Sequence, residues 1–279
     1  MKTIKSKIPF NYKTIKTTQS RIDKGLLAIP VSLIDYFPKN KTKVYIAFGP
    51  SLKRSPKNFT PFTSSSRECR IGGMKKFYEN FQIKDGDELV VQILDDDTYR
   101  IFTERQFEES VKTVEEALDK AKDENEASYR LKKISEVTNS DFRETVFNEY
   151  FRLSKSEFEK RKHNKPWIGM RKEGIPATIR KILKEIYGGK CQITQFSFLM
   201  RNGEPYFETH HIKPDLGNHL KNLLVVCPNI HALFTYAHLQ QHFDEEGWLR
   251  RVEFNNEEYN VIQIIDKIPK QFEKEIHFL

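Results

Sequence analysis

The 279-residue sequence has three cysteines, Cys69, Cys191 and Cys227. An odd number at such wide spacing builds neither a disulfide framework nor a four-cysteine zinc site. No apolar run approaches the ~18 to 20 residues of a membrane span. The N-terminal MKTIKSKIPF lacks the apolar stretch of ~7 to 15 residues that a secretory signal needs, so an intracellular, cytoplasmic location is expected. Glycine and proline are sparse, twelve of each, which excludes collagenous and low-complexity chains. Charge is plentiful: 31% of residues are charged and 38% hydrophobic, the balance of a globular protein. At ~100 to 200 residues per domain, the length suits about two domains, each able to bury a core.

The basic excess is confined to one region. The whole chain has 47 Lys+Arg against 39 Asp+Glu, net +8. Residues 1–104 contain 19 basic and 11 acidic side chains, whereas residues 105–165 and 166–279 each contain 14 of either sign. Residues 1–60 alone have 13 basic side chains and two acids, Asp23 and Asp35. Turn and apolar residues interrupt this run, so it reads as a folded basic surface suited to a polyanion rather than a charged tail.

The pattern along the chain is that of an α+β multidomain protein. Residues 1–104 read as mostly β, with strands at Leu26–Ile29, Lys43–Phe48, Glu88–Leu94 and Thr98–Thr103. Asp95-Asp96-Asp97 turns the last two into a hairpin. Short helices are expected from Pro30 to Phe37 and over Met74–Phe81. Gly49 to Arg70, rich in Ser, Pro, Lys and Arg without apolar periodicity, reads as a long functional loop. Residues 105–165 read as a helical connector. Phe107, Val111, Val114, Leu118 and Ala121 form one helical stripe, and a second helix follows Asn139-Ser140-Asp141 with Phe142, Val146, Phe147, Tyr150 and Phe151 on its apolar side. The last domain begins at Pro166 and takes in residues 166–279.

Five of the eight histidines, His210, His211, His219, His231 and His238, fall within 29 residues. Phe207 to Pro214 reads as a short strand ending in two adjacent histidines. A polar loop, a second strand at Leu223–Val226 and a helix from Pro228 follow. Adjacent strand residues face opposite ways, so His210 and His211 must do different jobs. His231, in the first turn of the helix, is able to converge with one of them. The spacing is wrong for a zinc finger.

Glu208-x-His210-His211, an Asn eleven residues after His211, and Cys227-Pro228-x-x-His231 at a strand-to-helix junction together resemble the HNH, or ββα-metal, nuclease family. The similarity spans about Pro166–Gly247, with a helix at Ile175–Tyr187 and the Gly-Gly-Lys-Cys-Gln-Ile-Thr lead-in at Gly188–Thr194. The resemblance implies that His211 is the general base toward the attacking water, as suits a group titrating near neutrality. It implies that His210 and His231 hold one divalent ion, Mg²⁺ first, with Mn²⁺ or another transition metal open. Asn222 is implied to brace the inter-strand loop and so fix the imidazole of His211. The sequence also departs from the family. Thr235 stands where many relatives place a third ligand, and His238 reads as structural. Thr194 and Ile230 stand where a pair of Cys-x-x-Cys knuckles needs cysteines, so no structural zinc is expected. Glu208 reads as supporting the ligands or simply paired on its strand. His219 and Lys213 read as solvated loop residues.

Lys24 to Pro30, Arg70 to Phe77 and the Lys84-Asp85-Gly86-Asp87-Glu88 turn resemble a pseudobarrel DNA-binding domain shared by some plant transcription factors and some restriction endonucleases. That fold grips the major groove with two arms, here about Asn11–Lys24 and Pro50–Arg70. Arg21, Lys24, Lys53, Arg54, Arg67 and Arg70 are the expected DNA contacts, arginines at guanine edges and lysines at phosphate.

The resulting expectation is a bacterial, sequence-specific restriction-type endonuclease of double-stranded DNA that leaves 5′-phosphate and 3′-hydroxyl ends. A pseudobarrel (1–104), a helical connector (105–165) and a nuclease domain with a C-terminal extension (166–279) would make it up. One such site cuts one strand, so a homodimer on DNA or sequential nicking is implied. The alternatives are an endonuclease that reads methyl- or hydroxymethylcytosine, and a DNA-binding regulator with a decayed nuclease domain.

Overall fold

The computed structural model describes residues 13–51, 53–62, 69–158, 163–164, 171–172 and 174–264. Its contacts divide the chain into two compact units, Met1–Ala117 with Lys132–Asp141, and Leu118–Leu131 with Phe142–Leu279.

The first unit has seven strands: β1 (Lys13–Lys16), β2 (Leu26–Ile29), β3 (Thr42–Phe48), β4 (Arg54–Thr60), β5 (Cys69–Gly72), β6 (Glu88–Asp95) and β7 (Thr98–Thr103). They form one sheet in the order β1-β6-β7-β3-β4-β5-β2, in which only β3 and β7 run parallel. The two edge strands, β1 and β2, are consecutive in the chain and joined by the short helix α1 (Gln19–Asp23). That link bends the sheet into a nearly closed barrel. Alternation drives the closure: Val44 and Ile46 of β3, and Leu27 and Ile29 of β2, point into a core shared with Phe59, Ile71, Leu89, Tyr99 and Ile101. Helix α2 (Lys75–Asn80) adds Phe77 and Tyr78 to that core.

The segment from Gly49 to Arg70 is not one long loop, because β4 runs through it, paired with β3 on one side and β5 on the other. β4 buries only Phe59 and contains Pro56 and Lys57, so no period-two apolar signal marks it. Two ladders hold it instead. β1 escapes the sequence pattern for the same reason, since Ile15 is its one buried residue.

Helix α3 (Glu104–Asp119) buries Phe107, Val111 and Leu118 along its predicted stripe. A helix absent from the sequence expectations, α4 (Glu124–Thr138), buries Ala127, Leu131 and Ile134 beneath a dense cover of charge. Its two halves belong to different units, so the helices of residues 105–165 are divided between the units.

In the second unit, α5 (Phe142–Ser154) follows the predicted position, and β8 (His163–Asn164) pairs with β9 (Arg171–Lys172). Helix α6 (Ala177–Tyr187) ends at Gly188, whose φ of 59° forms a left-handed cap. Gly189 also has positive φ, and a Cβ there would lie 2.5 Å from the Cβ of Pro205, so the chain can turn here only without a side chain. A hairpin of β10 (Phe198–Leu199) and β11 (Pro205–Tyr206) leads into β12 (Glu208–His211). β12 pairs with β13 (Leu223–Val226), and helix α7 (Pro228–Tyr236) starts on a proline at its first turn. A C-terminal sheet, β14 (Leu239–Phe243), β15 (Leu249–Phe254) and β16 (Glu257–Asn260), packs Leu249, Val252 and Phe254 against Leu224, Val226, Ile230 and Phe234. That core fixes α7 against the β12–β13 hairpin. Among the described residues no helix is long and apolar enough to cross a membrane.

Candidate functional site

The β12–β13 register puts His210 opposite Leu224 and His211 opposite Leu223, so the two imidazoles leave the hairpin on opposite faces. His210 faces α7. Its ring stacks on Phe234 at 4.1 Å between centroids and meets the His231 ring edge-on at 5.2 Å. His231 reaches this point because α7 starts directly after β13, its first-turn amide bonded to the Cys227 carbonyl.

Glu208, two residues before His210 on the same face, completes the group. Its Oε2 accepts from His231 Nδ1, and its Oε1 accepts from the Tyr206 hydroxyl at 2.8 Å. An ionised carboxylate only accepts, so Nδ1 of His231 bears the proton and Nε2 keeps its lone pair. The hydrogen bond from His231 holds the Glu208 carboxyl below its ordinary range, with Tyr206 acting in the same direction against partial burial. Burial, reinforced by His231 and His211, lowers His210 to about 4, so its imidazole is neutral at pH 7. The donor set therefore fits a divalent ion taken by the imidazole nitrogens of His210 and His231, with water or a phosphate oxygen completing the shell. No group of three or more His, Cys, Asp or Glu side chains positioned for a metal occurs among the described residues. The Thr235 hydroxyl turns back onto the His231 carbonyl at 3.1 Å, and His238 is exposed, its backbone amide bonded to Asn255.

On the other face, His211 Nε2 lies 3.0 Å from Oδ1 of Asn218, whose Nδ2 donates to the Gly174 carbonyl. The amide oxygen accepts, so Nε2 of His211 is the donor. Asn222 acts on the imidazole only indirectly. Buried at 2% exposure, it accepts from the Lys213 amide at 2.8 Å and donates to the Lys213 and Gly217 carbonyls at 3.1 Å each. It braces the loop, and Asn218 on that loop holds the imidazole. The sequence pattern does not single out Asn218. Its one signal is the shortness of the return from His211 to Asn222, which leaves few polar side chains within reach of the ring.

His219 is not a solvated loop residue. It is 6% exposed, accepts from the Lys221 amide through Nδ1, donates to the Ser156 carbonyl through Nε2 and stacks on Phe158. Lys213 is exposed, its ammonium 5.2 Å above the Phe243 ring. Cys191 and Cys227 are buried, and the Thr194 hydroxyl lies 3.8 Å from the Cys227 sulfur.

The basic residues of the first unit fall into separate places. Arg21 lies in α1 and Lys24 at its C-cap. The β2–β5 ladder, Leu26 opposite Gly72 and Ala28 opposite Arg70, brings the end of α1 beside the Gly72–Met74 turn, beyond Arg70 along the ladder, and the Met74 amide closes onto the Gly25 carbonyl. Lys57, midway along β4, and Lys75 lie beside the end of α1, Lys57 Nζ donating to the Gly73 carbonyl at 2.6 Å and Lys75 packing on Gly25. Lys53 and Arg54 sit at the start of β4. Thr60, not Arg54, is the β4 residue opposite Arg70, and at ~3.3 Å per residue the strand separates the two by about 20 Å. Arg67 lies outside the described residues.

No protein-family model matches the chain, and no curated protein matches it in sequence. Among solved structures it is similar to an Arabidopsis FUS3–DNA complex, with 15% identity and a TM-score of 0.28 over 33% of this chain and 94% of that one. It is also similar to the N-terminal domain of Helicobacter pylori LlaJI.R1, with 15% identity and a TM-score of 0.26 over 32% of this chain and 76% of that one.

Proposed function

We propose that this protein is a metal-dependent DNA endonuclease of restriction type, whose first unit binds the duplex and whose second hydrolyses the phosphodiester backbone. One observation carries the reading: two adjacent histidines are divided by a hairpin, one meeting a helix histidine edge to face, the other bonded to the side chain of Asn218. Metal-assisted hydrolysis of a phosphodiester uses an ion at the phosphate and a base toward the water.

His211 takes the proton of the attacking water, and Asn218 holds its ring. His210 and His231 would hold the ion, with Glu208 and Tyr206 fixing the orientation of His231. When bound there, a divalent ion would supply positive charge toward the scissile phosphate and the leaving oxygen. Attack that expels the 3′ oxygen leaves 5′-phosphate and 3′-hydroxyl ends. A single site cuts one strand, so a double-strand break requires two copies or two successive cuts.

The test is digestion of plasmid DNA, unmodified and methylated, with Mg²⁺, Mn²⁺ or EDTA. Cleavage that needs the metal and is lost in His211→Ala, with DNA binding retained, supports the reading. Absence of metal-dependent cleavage on every substrate overturns it, and unchanged cutting by His211→Ala overturns the assigned base.

A further inference from the structure

The hairpin that leads into the site presents apolar side chains to solvent. Phe196, Phe198, Leu199 and Met200 are 54%, 45%, 68% and 39% exposed, a concentration unlike the surface around it. The turn is tightly closed: the Met200 amide donates to the Glu204 carbonyl at 2.8 Å, the Gly203 amide to the Met200 carbonyl at 2.9 Å, and the Glu204 amide to the Asn202 side chain at 3.1 Å. Phe198 stacks on Tyr206 at 5.1 Å. Such bracing keeps the apolar residues projecting instead of letting them fold back onto the core.

Charge around the hairpin points to the occupant. Each carboxylate near it is engaged: Glu204 by Lys184, Glu185 by Lys181, Glu124 by Arg180 and Glu208 by His231. Lys190 at the base and Arg201 at the tip are exposed and make no ion pair among the described residues. An apolar finger tipped by an arginine suits nucleic acid, where side chains such as Phe, Leu and Met enter between base steps while cations face the phosphates. Position adds a second argument. Tyr206, behind Phe198, bonds Glu208, which bonds His231, so the finger is fixed rigidly to the donor pair.

We propose that the Phe196–Met200 finger is a wedge that enters a groove of bound DNA and unstacks a base step there. The proposal rests on the DNA-binding half of the function above and not on cleavage. It gives the second unit a preference for deformable steps, read without base-specific hydrogen bonds.

The experiment uses the full-length His211→Ala protein bound to mixed-sequence duplex fragments, probed with permanganate for unstacked thymines and diethyl pyrocarbonate for unstacked purines. Bases at one step become severalfold more reactive than in free DNA. Leu199→Ser/Met200→Ser in the same background returns them to the free level, and Leu199→Phe, which keeps an apolar wedge, retains the reactivity. No hyperreactive step, or one unchanged in the double variant, overturns the proposal; the second outcome is the one expected if the finger docks a protein instead. A protein that binds and unstacks DNA but never cuts it with metal overturns the nuclease reading alone. A protein that binds no DNA overturns both.

Discussion

Glu208 accepts the hydrogen bond of His231 Nδ1 and so determines which nitrogen of that imidazole is turned toward a ligand. Carboxylates behind ligating histidines commonly hold ring and tautomer for a metal, and their loss costs ~10- to 100-fold in affinity. Glu208→Ala should weaken Mn²⁺ binding by about that factor in titration calorimetry, with the circular dichroism spectrum unchanged. Tyr206→Phe should act in the same direction and more weakly, because it removes only one bond to the carboxylate. An affinity indifferent to Glu208 would separate this carboxylate from the donor pair.

The two asparagines of the loop should fail differently. Asn222→Ala strands the Lys213 amide and the Lys213 and Gly217 carbonyls, and should cost about 3 kcal/mol of stability, read from urea unfolding. Asn218→Ala removes a partly exposed contact and should leave the unfolding curve nearly unchanged while lowering kcat more than it alters KM. Its loss should stay below the ~10² to 10⁴ that removal of the base itself costs. Equal unfolding midpoints for the two variants would contradict this division of work.

Acid should loosen the second unit through His219. Burial disfavours its charged form, Lys221 adds to this, and the hydrogen bond to the Ser156 carbonyl only partly opposes them, so the folded group titrates below its ordinary 6.5. Above pH 6.5 neither state binds the proton and stability does not change on this account. Below it the unfolded chain takes up the proton first, so stability falls until the lowered folded pKa is passed. His219→Gln keeps an acceptor for the Lys221 amide and a donor for Ser156 but does not titrate. Its thermal midpoint should fall less between pH 7 and pH 5 than that of the parent.

Legibility in the sequence follows the number of apolar residues an element buries. β2 and β13 can be placed to the residue, because Leu27 with Ile29, and the run Leu223–Val226, leave no alternative. β4 is not legible, since a strand that buries Phe59 alone is held by its neighbours and not by its own pattern. Helix α4 is legible in principle, through Ala127, Leu131 and Ile134, but its charged majority masks them. The histidine pair and its division between two faces can be read from strand alternation. That Asn218 and not Asn222 touches His211 cannot, because it depends on how the loop closes in space.

The separation of the basic residues along β4 gives a final prediction about DNA binding. Arg54 and the position opposite Arg70 lie about 20 Å apart along β4, and Lys57, beside the α1 end that carries Lys24, lies midway between them. If one duplex is gripped from the α1 end to Arg70, the paired substitution Lys24→Ala/Arg70→Ala should weaken binding far more than Lys53→Ala/Arg54→Ala. Each lost phosphate contact releases fewer counterions, so the first pair should also flatten the plot of log K against log salt by about 0.9 per contact removed. An arginine reading a base edge behaves otherwise, costing ~1 to 3 kcal/mol at one position of the site and leaving the slope nearly unchanged. Measuring both quantities for Lys24→Ala and Arg70→Ala singly would therefore separate a phosphate clamp from a base reader. Equal losses from the two ends of β4 would show that the duplex lies along the strand instead of at its end.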